Sequence, residues 1–358
     1  VLKELCREFS EEGNWKPVIV TANWDAINPI IIEHAHFTEI QMRLREFPAA
    51  LGKDWLAYYL NYFSFLKNIK NIIKQYNVKA LNFHFPNDFA FPFQWLKKLG
   101  WINNLILSFH GADLTALEEK INDTRWKALL NNADHITTCS NGLKKQLIDL
   151  IPNVEQKTTT LHNGVFKPFN QNQFKLQENL PKYYILCVGT FEHKKGQDTL
   201  LKAFHQVSTQ FPDLHLVLAG RKTPYFDKLV SLSTNLAISE KVHFYFDIQP
   251  ELIWQFYDNS KLFVSASRSE PFGIVMLEAG LSSIPVIATK SFGALEIIEH
   301  DNDGLLVNID DSEQMATTIK NLLNDEQKQK LFATNLKRKV CEVFTWRNTQ
   351  QKLLKLLG

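Results

Sequence analysis

Two glutamates eight residues apart, Glu270 and Glu278, bracket a Pro-Phe-Gly turn and an apolar run in SRSEPFGIVMLEAG, residues 267–280. Pro271 disfavours helical geometry at the residue before it, so Glu270 sits on extended chain. A helix starting near Phe272 or Gly273 then carries Glu278 one to two turns in. The first amides of a helix are unpaired donors with partial positive charge, and a glycine there lets a ligand approach the backbone. Phosphate is the natural occupant of such a point, framed here by the amides of Phe272, Gly273, Ile274 and Val275. Eight helical residues would rise roughly 12 Å, comparable to the ribose-to-hexose span of a nucleoside diphosphate sugar. Carboxylates accept hydrogen bonds from vicinal hydroxyls, so a pair flanking a phosphate site could read two sugars. Taken alone, the segment is equally consistent with a capping glutamate followed by a solvated one.

Two other segments carry polar groups at the ends of apolar strands. VGTFEHKKGQDTLLKAF ends a strand at Gly189, continues through Thr190, Lys194 and Lys195, and opens a helix at Gly196. A lysine before a helix can neutralise a diphosphate as a point charge, although Lys-Lys-Gly at such a junction is commonly solvated surface. Neither a GxGxxG fingerprint nor a GxxxxGK[ST] loop occurs in the chain. SFHGADL ends another strand with His110, Gly111 and Asp113. DND at 301–303 lies in a polar stretch before GLLV and reads as turn chemistry, not as a metal motif.

The elements that must hold these residues alternate along the chain. VLKELCREFSEEG at the start reads as an amphipathic helix ending at Gly13, followed by the strand PVIVTAN. A strand-helix-strand unit entered in this way has its first strand upstream of residue 1, together with the loop after it. VIVTAN, FTEIQMRL, VKALNFHF, LILSFH, DHITTCS and KTTTLHN follow as strands, with helices over 53–76, 88–99, 123–133 and 141–150. Residues 165–182, rich in Asn, Gln and Lys with two prolines, read as a linker. The alternation then restarts with YYILCVG, LHLVLAG, KVHFYFD, KLFVSAS, PVIAT and GLLV, separated by helices over 196–211, 225–237 and 250–259; after about residue 311 the chain reads helical. Nearly continuous apolar strands alternating with helices argue parallel sheets covered on both faces. The expected fold is α/β: an N-terminal Rossmann-like domain over 1–164, the linker, a second such domain over 183–342 and a final helix over 343–358. Parallel sheets facing an interdomain cleft would bind ligands beyond the carboxyl ends of their strands.

Composition excludes several classes. The chain has 358 residues, 45% hydrophobic and 22% charged, with a net charge of +2, so no strong field favours nucleic acid. The longest apolar runs fall far short of a membrane span, and no signal peptide is visible. The four cysteines, Cys6, Cys139, Cys187 and Cys341, show no paired spacing and read as free thiols of a reducing, cytoplasmic compartment.

In this order, SFHGADL, ADHITTCSNGLKKQL with LHNGV, VGTFEHKKGQDTLLKAF, SRSEPFGIVMLEAG with SSIPVIAT, and SFGALEIIEHDNDGLLV resemble the retaining glycosyltransferases of family 4, which have the GT-B fold. FTWRNTQQKLL looks like the family helix that crosses back onto the N-terminal domain. The resemblance implies that Glu278 holds the donor ribose, Glu270 contacts the transferred sugar, and Phe272–Val275 cradle the diphosphate, which Lys195 neutralises. It implies that His110 contacts the sugar near the reacting carbon with Asp113 close by, and that Gly189 and Thr190 border the donor. Glu296 in GALE falls where the family often has a loop glutamate. Thr190 departs from the family's arginine and Phe166 from its aspartate, and the family's first Gly-rich loop would precede residue 1.

The implied reaction moves a hexosyl group from a nucleotide diphosphate sugar to a hydroxyl of a glycan or lipid-linked sugar acceptor, with retention, no metal and no cofactor. Glycan, lipopolysaccharide or capsule biosynthesis is the implied setting. Hydrolytic retaining enzymes use two carboxylates as nucleophile and acid; here both glutamates would be binding groups, and a departing phosphate oxygen would accept the acceptor's proton. A non-catalytic nucleotide-sugar-binding module, or another GT-B enzyme such as a sugar-nucleotide epimerase or phosphorylase, would use a similar site. In helix 53–76, Leu56, Tyr59 or Leu60, Phe63, Leu66, Ile69 and Ile73 form an expected core stripe. Trp55, Tyr58, Tyr62 and Phe65 form a second stripe, read either as buried under a loop or as an acceptor or peripheral inner-membrane surface.

Overall fold

The computed structural model describes residues 2–12, 15–44, 55–168 and 180–357, with backbone alone over 55–61. The chain forms two compact units, one of Val1–His162 with Trp346–Gly358, the other of Asn163–Thr345. Most of the expected linker, 169–179, lies outside the described residues. The final helix is Trp346–Leu357, three residues later than expected, because the preceding helix runs on to Val343.

In the first unit β1 (Val18–Ala22), β2 (Ile30–Glu33) and β3 (Thr38–Met42) form one sheet in the order β1-β3-β2. β1 and β3 are parallel, but β2 pairs antiparallel with β3, Ile31 opposite Ile40, which corrects the expectation of wholly parallel sheets. The strand Ile30–Glu33 escapes sequence reading because its isoleucine run is exposed on an edge. β4 (Ala80–His84), β5 (Asn104–Phe109), β6 (His135–Thr138) and β7 (Thr158–Thr160) form a second, parallel sheet. β5 is its most buried strand, which places the following residues, His110 to Asp113, at the carboxyl end of a central strand. The helix Ala112–Glu119 follows at once, where sequence patterning had found none. The terminal helix Trp346–Leu357 packs on the helix Leu2–Glu11, and Thr349 Oγ1 donates to the His162 carbonyl at 2.6 Å.

In the helix Trp55–Gln75 the buried face keeps Ile69 and Ile73 of the expected core stripe but takes in Tyr62 and Phe65 in place of Phe63. Tyr62, Phe65, Ile69, Ile72 and Ile73 are buried, and Phe65 meets Phe93 edge-on at 6.1 Å, whereas Phe63 is 64% exposed. The aromatic stripe read as a candidate acceptor or membrane surface is therefore core at Tyr62 and Phe65. Its other members, Trp55 and Tyr58, fall outside the described side chains. Among the described residues no helix is long and apolar enough to cross a membrane.

The second unit is built on one parallel sheet of β8 (Tyr184–Val188), β9 (His215–Gly220), β10 (Val242–Phe246), β11 (Leu262–Ser265), β12 (Val286–Thr289) and β13 (Leu305–Val307). Its order is β10-β9-β8-β11-β12-β13, with Leu262 beside Ile185 at the centre. This is the doubly wound 3-2-1-4-5-6 order, and the direction of winding reverses between β8 and β11. Strands there are buried on both faces, hence the unbroken runs YILCV, LFVS and VIAT. Ile185, Leu201, Phe204, Leu218 and Val264 belong to one core, each such side chain stabilising the fold by about 1.5–3 kcal/mol. Cys139 and Cys187 are buried and Cys6 partly so, while Cys341 is exposed; all four are free.

Gly196 joins the loops after the two central strands. Its φ of +63° is left-handed, and a Cβ there would lie 2.0 Å from the Ala266 carbonyl oxygen, on the chain leaving β11. Backbone strain and overpacking together make Gly196→Ala cost about 2–5 kcal/mol, so calorimetry should show the melting temperature falling by roughly 5 °C or more. A shift under about 2 °C would mean that the loops do not approach so closely.

Candidate functional site

The reversal of winding leaves two loops side by side, one after β8 and one after β11. Gly189 directly follows β8, and Gly220 must be glycine beside it, because a Cβ there would fall 2.1 Å from the Gly189 oxygen. The turn His193–Lys195 brings the Lys195 stem over Gly189, about 3.6 Å from where a Cβ would sit. From the other loop Glu270 reaches back, and Lys195 Nζ bonds Glu270 Oε2 at 2.6 Å. Glu270 is only 9% exposed, in the loop before Pro271 and outside any strand or helix. Its carbonyl accepts from the Gly293 amide at 2.8 Å, and Gly293 has no room for a side chain against the Phe272 backbone.

The helix that follows is Ile274–Leu281, entered through Gly273 at φ +92°. Its first amides, Ile274 and Val275, have no acceptor within the helix, whereas Met276 already bonds the Gly273 carbonyl at 3.0 Å. Phe272 contributes backbone only, since its ring is buried against Phe344. Glu278 lies on the helix's fifth position and is partly exposed. The fully buried Tyr257 donates its hydroxyl to Glu278 Oε2 at 2.7 Å. Burial pushes the Glu278 carboxyl above the usual carboxylate range, and the Tyr257 hydrogen bond opposes that shift. Thus Gly189, Lys195, Glu270, Gly273 and the two free-ended amides gather at one end of one sheet, with Glu278 about one turn along the helix that starts there. Thr190 lies in the same loop, its carbonyl accepting from Gln197 Nε2 at 3.1 Å.

Sequence reading missed the group that binds these loops together. Arg268 bonds both oxygens of Asp198 at 2.8 Å and pairs with Asp310 at 2.7 Å. Its amide donates to the Lys194 carbonyl at 2.8 Å, so the β11 loop is strapped to the turn bearing Lys195. Asp198 and Asp310 are 70 and 42 residues away in sequence, and no local pattern signals either partner.

In the first unit His110 sits between two rings. His84 Nδ1 meets His110 Nε2 at 3.0 Å, and Phe85 stacks on His110 with centroids 4.3 Å apart. Neighbouring residues on a regular strand face opposite ways; Phe85 escapes this through a φ of +54°, which lets both side chains flank His110. A left-handed φ is rare for a bulky residue, and Phe85 remains 52% exposed. Burial pushes His84 down to about 3 and His110 to about 4, so both imidazoles are neutral at pH 7. Asp113 departs from the expected ligand-facing position: it is 6% exposed, and its oxygens accept from the amides of His110, Gly111 and Leu114. Its work is to hold the loop that presents His110. Burial raises its carboxyl, and those amides pull the other way. In the DND turn Asp303 accepts from the Glu299 amide at 2.7 Å and Asp301 pairs with Lys328.

Comparison with known proteins matches the chain to two family descriptions in tandem: Glycosyltransferase Family 4 over residues 1–166 and Glycosyl transferases group 1 over residues 168–339. An uncharacterized glycosyltransferase of Methanocaldococcus jannaschii is 26% identical over 229 residues, 60% of this chain and 57% of that relative, little more than half its length. The GDP-mannose-dependent alpha-(1-6)-phosphatidylinositol monomannoside mannosyltransferase of Mycolicibacterium smegmatis is 22% identical over 303 residues, 81% of this chain and 79% of that one. Among solved structures, sucrose-phosphate synthase from Thermosynechococcus elongatus aligns with a TM-score of 0.76 at 23% identity, covering 99% of this chain and 91% of its own. Anabaena HepE in complex with UDP and glucose gives 0.70 at 20%, covering 90% and 86%. The fold is GT-B.

A buried carboxyl whose folded pKa is raised lowers stability at pH above its unfolded value and does nothing once both states are protonated. Glu278→Gln keeps an oxygen for Tyr257 and removes the charge. Its melting temperature should exceed wild type by a few degrees at pH 7.5, with the gain vanishing towards pH 4. An equal gain at both pH values, or none, would contradict a strained Glu278.

Proposed function

Since this chain is a member of the family 4 glycosyltransferases, we propose that it moves a hexosyl group from a nucleotide diphosphate sugar to a hydroxyl of a glycan or lipid-linked acceptor, with retention and without a metal. The observation that carries the reading is the Lys195–Glu270 pair across the β8 and β11 loops, beside the helix entrance at Gly273 and with Glu278 on that helix. An ammonium, oriented amides and two acidic side chains match the parts of such a donor in kind. The HepE structure holds UDP and glucose, and the mycobacterial relative is named for GDP-mannose; both support a nucleotide-linked sugar. A relative named for capsular polysaccharide biosynthesis supports a glycan product.

In this reading the developing negative charge of the nucleotide diphosphate leaving group is met by Lys195 and the amides of Ile274 and Val275. Such preorganised donors act where water is excluded, so they stabilise the transition state more than the ground state. Glu278 accepts from the ribose and Glu270 from the sugar being transferred. Neither glutamate serves as acid or base; the acceptor's proton passes to the departing phosphate oxygen on the same face, which conserves anomeric configuration. His110 cannot donate a proton as an imidazolium near neutral pH, because burial holds it neutral. Hydrogen bonding through a neutral ring is the chemistry left to it.

Lys195→Ala should lower kcat/KM for transfer from a labelled nucleotide sugar by about 10²–10³, the usual loss for one charge-stabilising donor. Wild-type turnover in that variant would overturn the assignment. Full activity is expected in excess EDTA, and the anomer released, read by NMR, should match that of the donor. Donor binding without transfer to any acceptor in a glycan and lipid-linked panel would identify a binding module instead.

A further inference from the structure

We propose that Tyr257 is a positioning residue for donor recognition: its hydroxyl holds Glu278 in the ionised, oriented form that accepts hydrogen bonds from a ribose. The proposal deepens the functional reading above and rests on Glu278 as the ribose partner. Three observations support it. Tyr257 has no exposed surface, its ring packed against Trp254 at 6.0 Å and Phe263 at 5.5 Å, so its hydroxyl cannot swing away. That hydroxyl donates to Oε2 of Glu278 alone, and among the described residues no hydrogen bond is made by Oε1. Glu278 itself is partly exposed, so one oxygen is pinned from inside while the carboxylate keeps an outward side.

The chemistry follows from the inventory of donors and acceptors. An ionised carboxylate only accepts, and two ribose hydroxyls can donate to it; a protonated one carries a hydrogen that must itself be placed. Burial favours the protonated form. A phenol pointing at the acid favours the ionised form, because a hydrogen bond to the charged state lowers the acid's pKa. Tyr257 does not surrender its own proton to Glu278, since burial and the neighbouring Glu278 charge hold its phenol well above its ordinary range. The hydroxyl therefore stays a donor across the neutral pH range. A merely structural tether between the helices Ile253–Asp258 and Ile274–Leu281 would need the same bond but would not couple it to ligand affinity or to pH.

The test is calorimetric titration of wild type, Tyr257→Phe and Glu278→Gln with UDP, GDP and ADP, carrying the tightest binder through pH 5.5–9. The probe's own ionisation is common to all three proteins. Wild-type affinity should weaken as pH falls through the titration of Glu278. In Tyr257→Phe that weakening should begin about one to two pH units higher, the shift expected from losing one hydrogen bond to a charged group, with affinity returning to within about threefold of wild type at pH 9. Glu278→Gln should bind roughly tenfold more weakly than wild type at pH 9 and lack the carboxyl-dependent limb.

If Tyr257→Phe follows the wild-type profile while Glu278→Gln is weak, the positioning role is overturned and the ribose reading stands. A uniform loss at every pH in Tyr257→Phe would reduce the residue to a packing element and also overturn the proposal. Wild-type affinity in Glu278→Gln would remove the ribose reading itself. Site-specific 3,5-difluorotyrosine at 257 guards against a misfolded phenylalanine variant: a more acidic phenol donates more strongly and should move the limb to lower pH. An unmoved limb there would count against the proposal on its own.

Discussion

The second unit depends on a constraint of sheet topology. Where the winding of a parallel sheet reverses, the loops leaving two adjacent strands diverge to opposite faces and leave a crevice at their carboxyl ends. β8 and β11 are those strands, and the chain closes the base of the crevice by crowding backbone against backbone. Gly196 lies against Ala266, Gly220 against Gly189, and Gly293 against Phe272, each at a distance that admits no Cβ. The polar groups stand on this floor. Lys195 and Glu270 pair across it, and Arg268 ties the same two loops through Asp198 and the Lys194 carbonyl. A mobile lysine would neutralise phosphate poorly, because ordering its long side chain costs entropy at each encounter. Pairing with Glu270 and packing of its stem over Gly189 remove much of that cost beforehand.

The first unit solves a related problem with rings. His110 needs a fixed orientation at the end of β5, and three devices supply it: Asp113 gathers the amides of residues 110, 111 and 114, His84 bonds the ring edge, and Phe85 covers a ring face. The left-handed Phe85 is the strained member. A strained backbone persists only where its surroundings over-determine it, and here the stack and the Phe85 amide bond to the Ser108 carbonyl hold it in place. Neutral imidazoles suit the arrangement, because two charged rings 5.3 Å apart would repel.

How much of this was legible in the sequence varies with the range of the interaction. Strands buried on both faces announce themselves as unbroken apolar runs, so every strand of the second unit could be placed from YILCV, HLVLAG, LFVS and their like. The exposed edge strand Ile30–Glu33 carries the same residue types without the burial, and the pattern misleads. Helix Trp55–Gln75 has two adjoining apolar stripes, and periodicity alone does not say where the buried face ends; Phe63 of the expected core stripe is exposed, while Phe65 of the neighbouring stripe is buried. Site residues flanked by Pro271, Gly273 or Gly196 could be found because backbone requirements are local. Tyr257 and Arg268 could not, since each acts through partners 21 to 70 residues away. Asp113 was visible, but its partners were not: its oxygens accept from the backbone amides of its own loop, which a polar residue beside a strand end does not announce.

Glu278 shows why such a site resists being optimised for stability alone. A carboxylate in a half-buried position loses hydration that one phenolic hydrogen bond only partly replaces, which is why its pKa stands above the ordinary carboxylate value despite Tyr257. An apolar residue at this point of the helix, beside the buried Leu277 and Ala279, would pack without that cost. Retaining an acid, and a buried tyrosine aimed at it, makes sense only if the lost hydration is restored by something that brings its own donors. In the proposed reading, vicinal hydroxyls held at the right distance from the helix entrance would meet that need, and an underhydrated acid would gain more from them than a solvated one. The same argument bears on Lys195 and Glu270, whose mutual pairing keeps both charges compensated at 2.6 Å. In the proposed reading, a diphosphate would take Glu270's place beside Lys195 and a sugar hydroxyl would donate to Glu270, so neither charge would lose its partner. Paired and partly satisfied charges of this kind let the fold tolerate a polar crevice at the centre of its sheet.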